Sequence, residues 1–283
     1  MEYFTNFPLV NYSNTIAIDL SRRVDILRSV RSNPYTFQPY DQKEGERADR
    51  LADLYYGSDS REWLVYLSNE TIDPYFGSYL SNEDFEQFII AKYGSAAKAQ
   101  RLTKYYSFAW WVTDVPFSVD TFANIADNLK KFYEPIFDSG ESTRILSYRL
   151  RQEEWIATTN IVVDLTVDSN KFANNEYVTF GSGNTAGHAE ITWSNTSTIR
   201  IQHVEGPGYT VGNVLTGYDT KATANITAVA YNCNTLSVDI RPYYLPVSFY
   251  DYEREKNEGR KLIKLVDKRY TSNIEKELVA LLK

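Results

Sequence analysis

The chain of 283 residues contains very little cysteine and histidine. Its one cysteine, Cys233, excludes an intrachain disulfide and a cysteine-based metal cluster, and it fits folding in a reducing compartment. The two histidines, His188 and His203, lack the Asp, Glu or Cys spacing that a metal centre or a catalytic triad requires. Neither a G-x-x-x-x-G-K-[ST] loop nor a G-x-G-x-x-G fingerprint occurs. We therefore predict no enzyme activity, no catalytic residues, no metal and no cofactor.

Long apolar runs are also missing. No stretch of about 18 consecutive apolar residues occurs, and the start, MEYFTNFPLV, lacks the basic and apolar regions of a secretion signal, so neither export nor a membrane span is expected. The net charge of −7 gives no electrostatic reason to bind nucleic acid or an anionic membrane. Tyrosine, in contrast, is abundant, with 23 residues. Because tyrosine combines a large contact area with a polar group, this composition favours extensive interfaces, with a tyrosine-rich core as the alternative.

The most informative stretch is YYGSDSREWLVYLSNETIDPYFG, from Tyr55 to Gly77. A first helix is predicted by apolar residues at helical spacing, namely Ala48, Leu51, Ala52 and Tyr55. Gly57 suits the left-handed end of that helix, and Asp59 or Ser60 can cap the next one. The second helix is expected to bury a face made of Trp63, Tyr66 and Leu67. The segment from Asn69 to Pro74 is then a polar exit that cannot extend the helix.

A helix, an aromatic-Gly turn, a helix with Trp, and then Asn and Asp-Pro together resemble the LysM module, here preceded by an extended segment at Tyr35 to Tyr40. The longer run from Ala52 to Gly94 more specifically resembles the baseplate wedge protein 53 family of contractile-tailed, T-even-type bacteriophages. In that family a similar YG turn, Trp-containing helix, Asn and DPY[YF]G motif precede a helix that ends in KYG. The resemblance implies a LysM-like core at about residues 35–77, with the core residues Leu51, Tyr55, Gly57, Trp63, Leu67, Asn69 and Pro74.

Periodicity divides the chain into three parts. Residues 1–152, the wedge-type domain, are mainly helical, with a capping-box start at Ser81-Asn82-Glu83-Asp84, a strand or hairpin arm at Phe108 to Val112 and a helix from Thr121 to Tyr133. That capping box opens a helix with an apolar face of Phe85, Phe88, Ile89 and Tyr93, ended by Gly94. Residues 155–244 have the period-two alternation and the turns of a small antiparallel sandwich or barrel. The predicted strands are Ile161–Val167, Glu176–Phe180, Ala189–Trp193, Thr198–Val204, Thr223–Ala230 and Thr235–Arg241.

Residues 245–283 return to helical periodicity, with apolar residues at steps of three or four, namely Leu262, Val266, Tyr270, Ile274, Leu278 and Leu281. This amphipathic C-terminal helix is expected to pack on the first domain or on a partner. The predicted fold class is therefore α+β, a LysM-like mixed helical N-terminal domain with an inserted small all-β sandwich or barrel and a returning C-terminal helix.

The wedge resemblance implies a structural subunit of a phage tail baseplate, made in the host cytoplasm and located in the virion. It would join wedge components and promote wedge-to-wedge assembly around the hub in a six-fold array, with other wedge proteins as partners and without nucleic acid or membrane. Tyr75, Phe76 and Tyr79 follow the Asp-Pro exit and are the candidate partner contacts, with internal packing as the alternative. The LysM resemblance leaves a second function open, the binding of peptidoglycan or another amino-sugar polymer, although a single module without an export signal counts against it.

Overall fold

The computed structural model describes residues 6–19, 24–26, 28–109, 116–141, 143–164, 172–181, 186–195 and 197–282. The helices in this part of the chain are α1 Arg28–Arg31, α2 Ala48–Tyr56, α3 Glu62–Ser68, α4 Asn82–Tyr93, α5 Ala96–Arg101, α6 Val119–Ala123, α7 Asp127–Lys130, α8 Phe249–Gly259 and α9 Lys268–Leu282. The strands are β1 Leu9–Tyr12, β2 Thr15–Ile18, β3 Phe37–Asp41, β4 Thr103–Phe108, β5 Phe117–Ser118, β6 Tyr133–Phe137, β7 Ile145–Leu150, β8 Trp155–Ile156, β9 Thr158–Val163, β10 Tyr177–Phe180, β11 Gly187–Ser194, β12 Thr198–Glu205, β13 Val214–Gly217, β14 Thr223–Cys233, β15 Tyr244–Ser248 and β16 Leu262–Val266. This mixture of helices and strands confirms the predicted α+β class.

The chain forms two compact units. The first unit combines Met1–Phe88 with Arg254–Lys283, and the second unit is Ile89–Glu253. In the first unit β3 and β16 form a two-stranded antiparallel sheet in which Phe37 is opposite Val266. One buried apolar cluster includes Leu51 of α2, Leu64 of α3 and Leu265 of β16, each at most 2% exposed. The core of this unit is therefore built from both ends of the chain.

Several predicted helix ends in the first unit are confirmed. Gly57 ends α2 with a left-handed backbone at φ 74°, and its N–H donates to Asp53 O at 2.9 Å. The predicted start of α4 is also confirmed, because Ser81 Oγ accepts from Asp84 N at 3.1 Å and lies 2.7 Å from Asp84 Oδ2. These contacts satisfy backbone groups that a helix end leaves open. Phe85, Ile89 and Tyr93 on α4 are buried as predicted, and Phe88 is half-buried.

The predicted start and buried face of α3 were wrong in detail. Neither Asp59 nor Ser60 caps α3, because a 3₁₀ turn at Asp59–Arg61 precedes the helix and begins after Ser58. The fully buried apolar residues of α3 are Trp63, Leu64 and Val65, whereas Tyr66 and Leu67 are half-buried. Three consecutive residues are buried because α3 packs on both α2 and β16.

The prediction of one helical pattern after residue 250 was wrong. Leu262 and Val266 lie in β16, so a strand separates α8 from α9. Their spacing of four fits a helix, but pairing with β3 buries Ile263, Leu265 and Val266 instead. In α9, Leu278 and Leu282 join the apolar cluster of the first unit. Leu281, predicted on the apolar stripe, is 65% exposed.

The second unit contains a closed six-stranded barrel with strand order β10-β11-β12-β9-β14-β13, which confirms the barrel alternative of the predicted β region. Alternate residues point inward and are at most 1% exposed, for example Ile161, Ile199, Ile201 and Ile226. The predicted strand Thr235–Arg241 was wrong, since Leu236 and Ile240 are buried four residues apart in a turn region followed by a 3₁₀ turn. The short strand β13 was not predicted. Residues 165–167, at the end of one predicted strand, lie outside the described residues.

Two three-stranded sheets, β15-β4-β8 and β5-β7-β6, complete the second unit in the described chain. The predicted helix from Thr121 to Tyr133 was wrong as one element. It divides into α6 and α7, and Tyr133 belongs to β6, where its ring stacks on Phe117 at 5.1 Å between centroids. Of the predicted arm at Phe108 to Val112, residues 110–112 lie outside the described residues, and Phe108 ends β4.

His203 is buried in the barrel unit. Its Nε2 lies 3.1 Å from Gly206 O, and its Nδ1 lies 3.1 Å from the Tyr209 hydroxyl. A carbonyl can only accept, so the neutral ring donates from Nε2 and accepts from Tyr209 at Nδ1. Burial lowers the pKa of His203 to about 4. The folded state therefore holds His203 neutral at pH values where the unfolded chain binds a proton.

The pKa of His203 in the folded state lies below its unfolded value of about 6.5. The neutral ring therefore contributes fully to the stability of the fold above the unfolded pKa, and this contribution is lost as the pH falls. We expect this residue to reduce the free energy of unfolding by about 2 kcal/mol between pH 7 and pH 5. Urea unfolding at both pH values measures this change. His203→Gln should abolish this change in the free energy of unfolding. His188→Gln, the control at an exposed histidine, should retain it. An unchanged pH dependence in His203→Gln would contradict the assignment.

Candidate functional site

The exit loop, residues 69–80, leads from α3 to α4 and contains the motif of Asn, Asp-Pro and Gly identified in the sequence. It begins at Asn69, whose side chain bonds two separate elements. Nδ2 donates to Val65 O at 2.8 Å and to Lys264 O at 2.9 Å, while Oδ1 accepts from Lys264 N at 2.8 Å. The amide thus pairs with the backbone of β16 as a neighbouring strand would and attaches the end of α3 to the sheet. This geometry explains why an amide side chain stands at this position.

The DPYFG segment, Asp73 to Gly77, forms a single capped turn. Asp73 Oδ1 accepts from Tyr75 N at 2.9 Å and from Phe76 N at 3.2 Å, and Gly77 N donates to Asp73 O at 2.8 Å. Pro74 fits the first position of such a turn because it has no N–H to satisfy. A Cβ on Gly77 would lie 2.4 Å from Asp73 O, so only glycine allows this close approach. The motif therefore encodes a fixed backbone rather than a flexible connection.

The far end of the exit loop is also anchored by an asparagine. Asn257, on α8 and only 6% exposed, accepts from Leu80 N at 2.9 Å through Oδ1 and donates to Leu80 O at 3.0 Å through Nδ2. Arg260 Nη1 adds a hydrogen bond to Phe76 O at 2.6 Å. Asn257 was not predicted from the sequence. What could have indicated its role is its residue type, an amide within a helix whose other residues are mostly charged or aromatic.

The fixed turn presents the three predicted contact residues differently. Tyr75 is 81% exposed and Phe76 is 49% exposed, whereas Tyr79 is half-buried. The Phe76 ring also packs on Phe88, with 5.6 Å between the ring centroids. Tyr75 is therefore the side chain of this set that the turn directs most fully into solvent.

The residues predicted to form the LysM-like core are largely brought together. Leu51, Tyr55, Trp63 and Leu67 contribute to the apolar cluster of the first unit, Gly57 ends α2, and Asn69 bridges α3 to β16. Pro74 lies apart from them and is exposed.

An open groove with a volume of about 1540 Å³ lies beside the exit loop within the first unit. Its aromatic and apolar lining includes Trp63, Tyr66, Ile72, Tyr75 and Tyr79. Its lining carboxylates are Asp25, Glu46, Asp49, Glu62, Glu70 and Asp84, and its lining cation is Arg47. The pKa of Tyr66 is raised by burial and by the charges of Glu62 and Asp49, so its hydroxyl stays protonated at neutral pH. The groove therefore combines an apolar wall with an excess of negative charge.

Among the described residues, no group of three or more His, Cys, Asp or Glu side chains is placed to hold a metal ion. The helices of the described residues include none with the length and apolar character needed to cross a membrane.

Comparison with known proteins identifies the N-terminal region. Residues 11–107, about a third of the chain, match the family model for base plate wedge protein 53. The resemblance inferred from Ala52 to Gly94 is thereby confirmed, while the LysM-like core stays a prediction. This match supports a structural role in the phage base plate, located in the virion tail and assembled with other base plate proteins. A search of curated proteins gave no match.

The bridge made by Asn69 can be tested with an isosteric change. Asn69→Asp keeps an acceptor for Lys264 N but removes both donated hydrogen bonds and places a carboxylate beside two carbonyl oxygens. We expect a loss of about 2 kcal/mol in the free energy of unfolding, measured by urea titration. Asn195→Asp is the control, since Asn195 is exposed and its Oδ1 accepts from Ser197 N at 3.0 Å and from Thr198 N at 2.7 Å, as an aspartate oxygen also can. Equal stability of the two variants would show that the amide bridge contributes little.

Proposed function

We propose that the chain joins components of the base plate wedge and promotes wedge-to-wedge assembly around the hub of a six-fold, contractile-tail base plate. It is made in the host cytoplasm, acts by burying interface area rather than by catalysis, and needs neither nucleic acid nor membrane. The observation that carries the proposal is the exit loop, where a fixed backbone presents the large side chain of Tyr75 to solvent.

Two physical arguments support a contact role for this loop. Binding normally costs the conformational entropy of the segments that become ordered, and the hydrogen bonds of Asp73, Asn69 and Asn257 have already fixed this backbone. Tyrosine is also enriched among the residues that dominate interface energies. Tyr75 and Phe76 therefore have the properties of interface anchors, with Tyr79 at the base of the same turn.

The groove beside the loop suggests the chemistry of the partner. Carboxylates outnumber cations among its lining residues, while Trp63 and Tyr66 line its apolar wall. A partner segment that fills it would present apolar side chains together with lysine or arginine. Charge complementarity of this kind would favour the correct partner and accelerate association.

Tyr75→Ala tests the contact role. Because Tyr75 is 81% exposed, the variant should melt close to the parent temperature, but truncation of an interface anchor should cost about 2 kcal/mol of binding, equivalent to roughly 30-fold weaker incorporation. Incorporation is measured as the amount of the chain in purified particles when it is supplied to a phage that lacks its own copy. Tyr35→Ala is the matched control, since Tyr35 lies in the same unit and is 76% exposed.

Equal incorporation of Tyr75→Ala and Tyr35→Ala would contradict the contact role. A large fall in the melting temperature of Tyr75→Ala would show that this side chain stabilises the fold instead. Normal incorporation together with lost retention on purified peptidoglycan would instead support the alternative function, a LysM-type protein that binds amino-sugar polymers in the groove.

We also propose that residues 155–244 are an inserted domain between the wedge-type domain at 1–152 and the C-terminal segment at 245–283. The support comes from the barrel, where Thr158 at its start is paired with Cys233 at its end. Paired residues on antiparallel strands have Cα atoms about 5 Å apart. The chain thus enters and leaves the barrel at adjacent positions, as an inserted domain requires.

Replacement of residues 158–233 by Gly-Ser-Gly should therefore leave a soluble chain that melts cooperatively, because the linker spans the short gap. Circular dichroism during heating measures this. The full chain with the same three residues inserted after Asn234 controls for the linker. An insoluble or non-cooperative product from the deletion alone would show that the barrel and the remainder share one folding unit.

A further inference from the structure

The N-terminal hairpin, residues 9–18, consists of β1 and β2 joined by a two-residue turn. Ser13 and Asn14 have φ values of 50° and 65°, the left-handed conformation that a tight hairpin turn of this length requires. At the base of the hairpin, Phe7 is 7% exposed in the apolar cluster of the first unit. The hairpin is therefore anchored at one end.

Both faces of the hairpin carry exposed apolar side chains. Leu9, Ile16 and Ile18 share one face and are 69%, 78% and 44% exposed. Val10 and Tyr12 lie on the other face and are 43% and 72% exposed. A hairpin of two strands that is not packed on either face is marginally stable in water. Burial of both faces by another molecule would remove this weakness.

The backbone of the hairpin also presents groups that no other strand of the described residues pairs with. Asp19 N donates to Pro8 O at 2.8 Å, and in an antiparallel ladder every second opposed pair exchanges such bonds. The bonded pairs are therefore Val10 with Ala17 and Tyr12 with Thr15. It follows that the N–H and C=O groups of Ile16 and Ile18 point outward along the free edge of β2. In the described chain, β1 is the strand that pairs with β2.

Among the described residues, the usual protection of an exposed strand edge is missing from the hairpin. Native proteins shield such edges with charged residues, proline, bulges or a covering element. The sequence from Leu9 to Ile18 contains no charged residue and no proline, although 24% of the whole chain is charged. The register between β1 and β2 is regular, without a bulge. These features match a strand edge that is covered in an assembly.

We propose that the free edge of β2 pairs with an open sheet edge of another base plate protein, whose apolar surface covers the faces of the hairpin. The identity of this partner as a base plate protein rests on the proposed function. Recognition combines main-chain hydrogen bonds to Ile16 and Ile18 with apolar pockets for alternate side chains.

A second copy of this chain fits the hairpin less well. Each strand has four residues and is about 13 Å long, and two hairpins paired edge to edge would leave their apolar faces in water. A stable interface normally buries at least about 1,200 Å², which two such short edges do not supply. A larger partner with a sheet edge beside an apolar surface satisfies the edge and the faces together.

Hydrogen exchange read by mass spectrometry, comparing the free full-length chain with the chain in purified particles, tests the pairing. The amides of Ile16 and Ile18 should exchange at least about tenfold more slowly in particles, because each donates to a partner carbonyl there. If the chain is present in particles but these amides exchange equally fast, the hairpin proposal is overturned and the proposed function stands. Absence of the chain from particles contradicts the proposed function itself.

The double variant Ile16→Lys with Ile18→Lys adds the charge that protected edges carry. We expect an unchanged melting temperature and at least tenfold lower incorporation into particles. The control is Val238→Lys, an apolar side chain 76% exposed in the second unit, and its incorporation should match the parent. Normal incorporation of the double variant overturns the proposal. Two further results would also overturn it. One is a dimer of the free chain that the double variant dissociates, and the other is slower amide exchange in the hairpin when phosphatidylcholine vesicles are added.

Discussion

The antiparallel pairing of β3 with β16 is the contact on which the first unit depends. It joins segments from opposite ends of the chain, and Gln38 and Asp267, which are 229 residues apart, extend it with a side-chain hydrogen bond of 3.3 Å. The entropic cost of closing a loop rises only slowly with its length, so a large intervening region is tolerated. Contacts so distant in sequence nevertheless form slowly. The core around Leu51 and Leu64 therefore cannot be completed before the C-terminal segment has folded against it.

The geometry of the exit loop depends on the same closure. Asn69 is bonded to Lys264 in β16, and Asn257 of α8 is bonded to Leu80, so both ends of the loop are held by the C-terminal segment. The turn at Asp73 fixes only the centre. Loss of the pairing between β3 and β16 would release one of these anchors. The display of Tyr75 is consequently a property of the assembled unit, although the motif that carries Tyr75 lies entirely within the N-terminal region.

Sequence reasoning succeeded where the signal is local and failed where it depends on distant partners. Gly57, the start of α4 at Ser81 and the alternation in most barrel strands are local features, and their predictions were confirmed. The strand β16 was taken for helix because Leu262 and Val266 are four residues apart, and its partner strand is remote in sequence. At the candidate site, the exit loop was predicted from its motif. The anchoring role of Asn257 could not be predicted, because nothing in the sequence indicates which backbone its amide will meet.

The exit loop and the hairpin are exposed for different physical reasons, and this difference determines how each can bind. Side-chain hydrogen bonds fix the backbone around Tyr75 before any partner arrives, so little ordering entropy is lost on contact. The hairpin is held by its turn and by Phe7 at its base, so the proposed pairing of its edge would order it further. Part of its interaction free energy is therefore offset by ordering. A preformed loop suits the first recognition of a partner, and a hairpin that gains order on binding suits a contact completed afterwards.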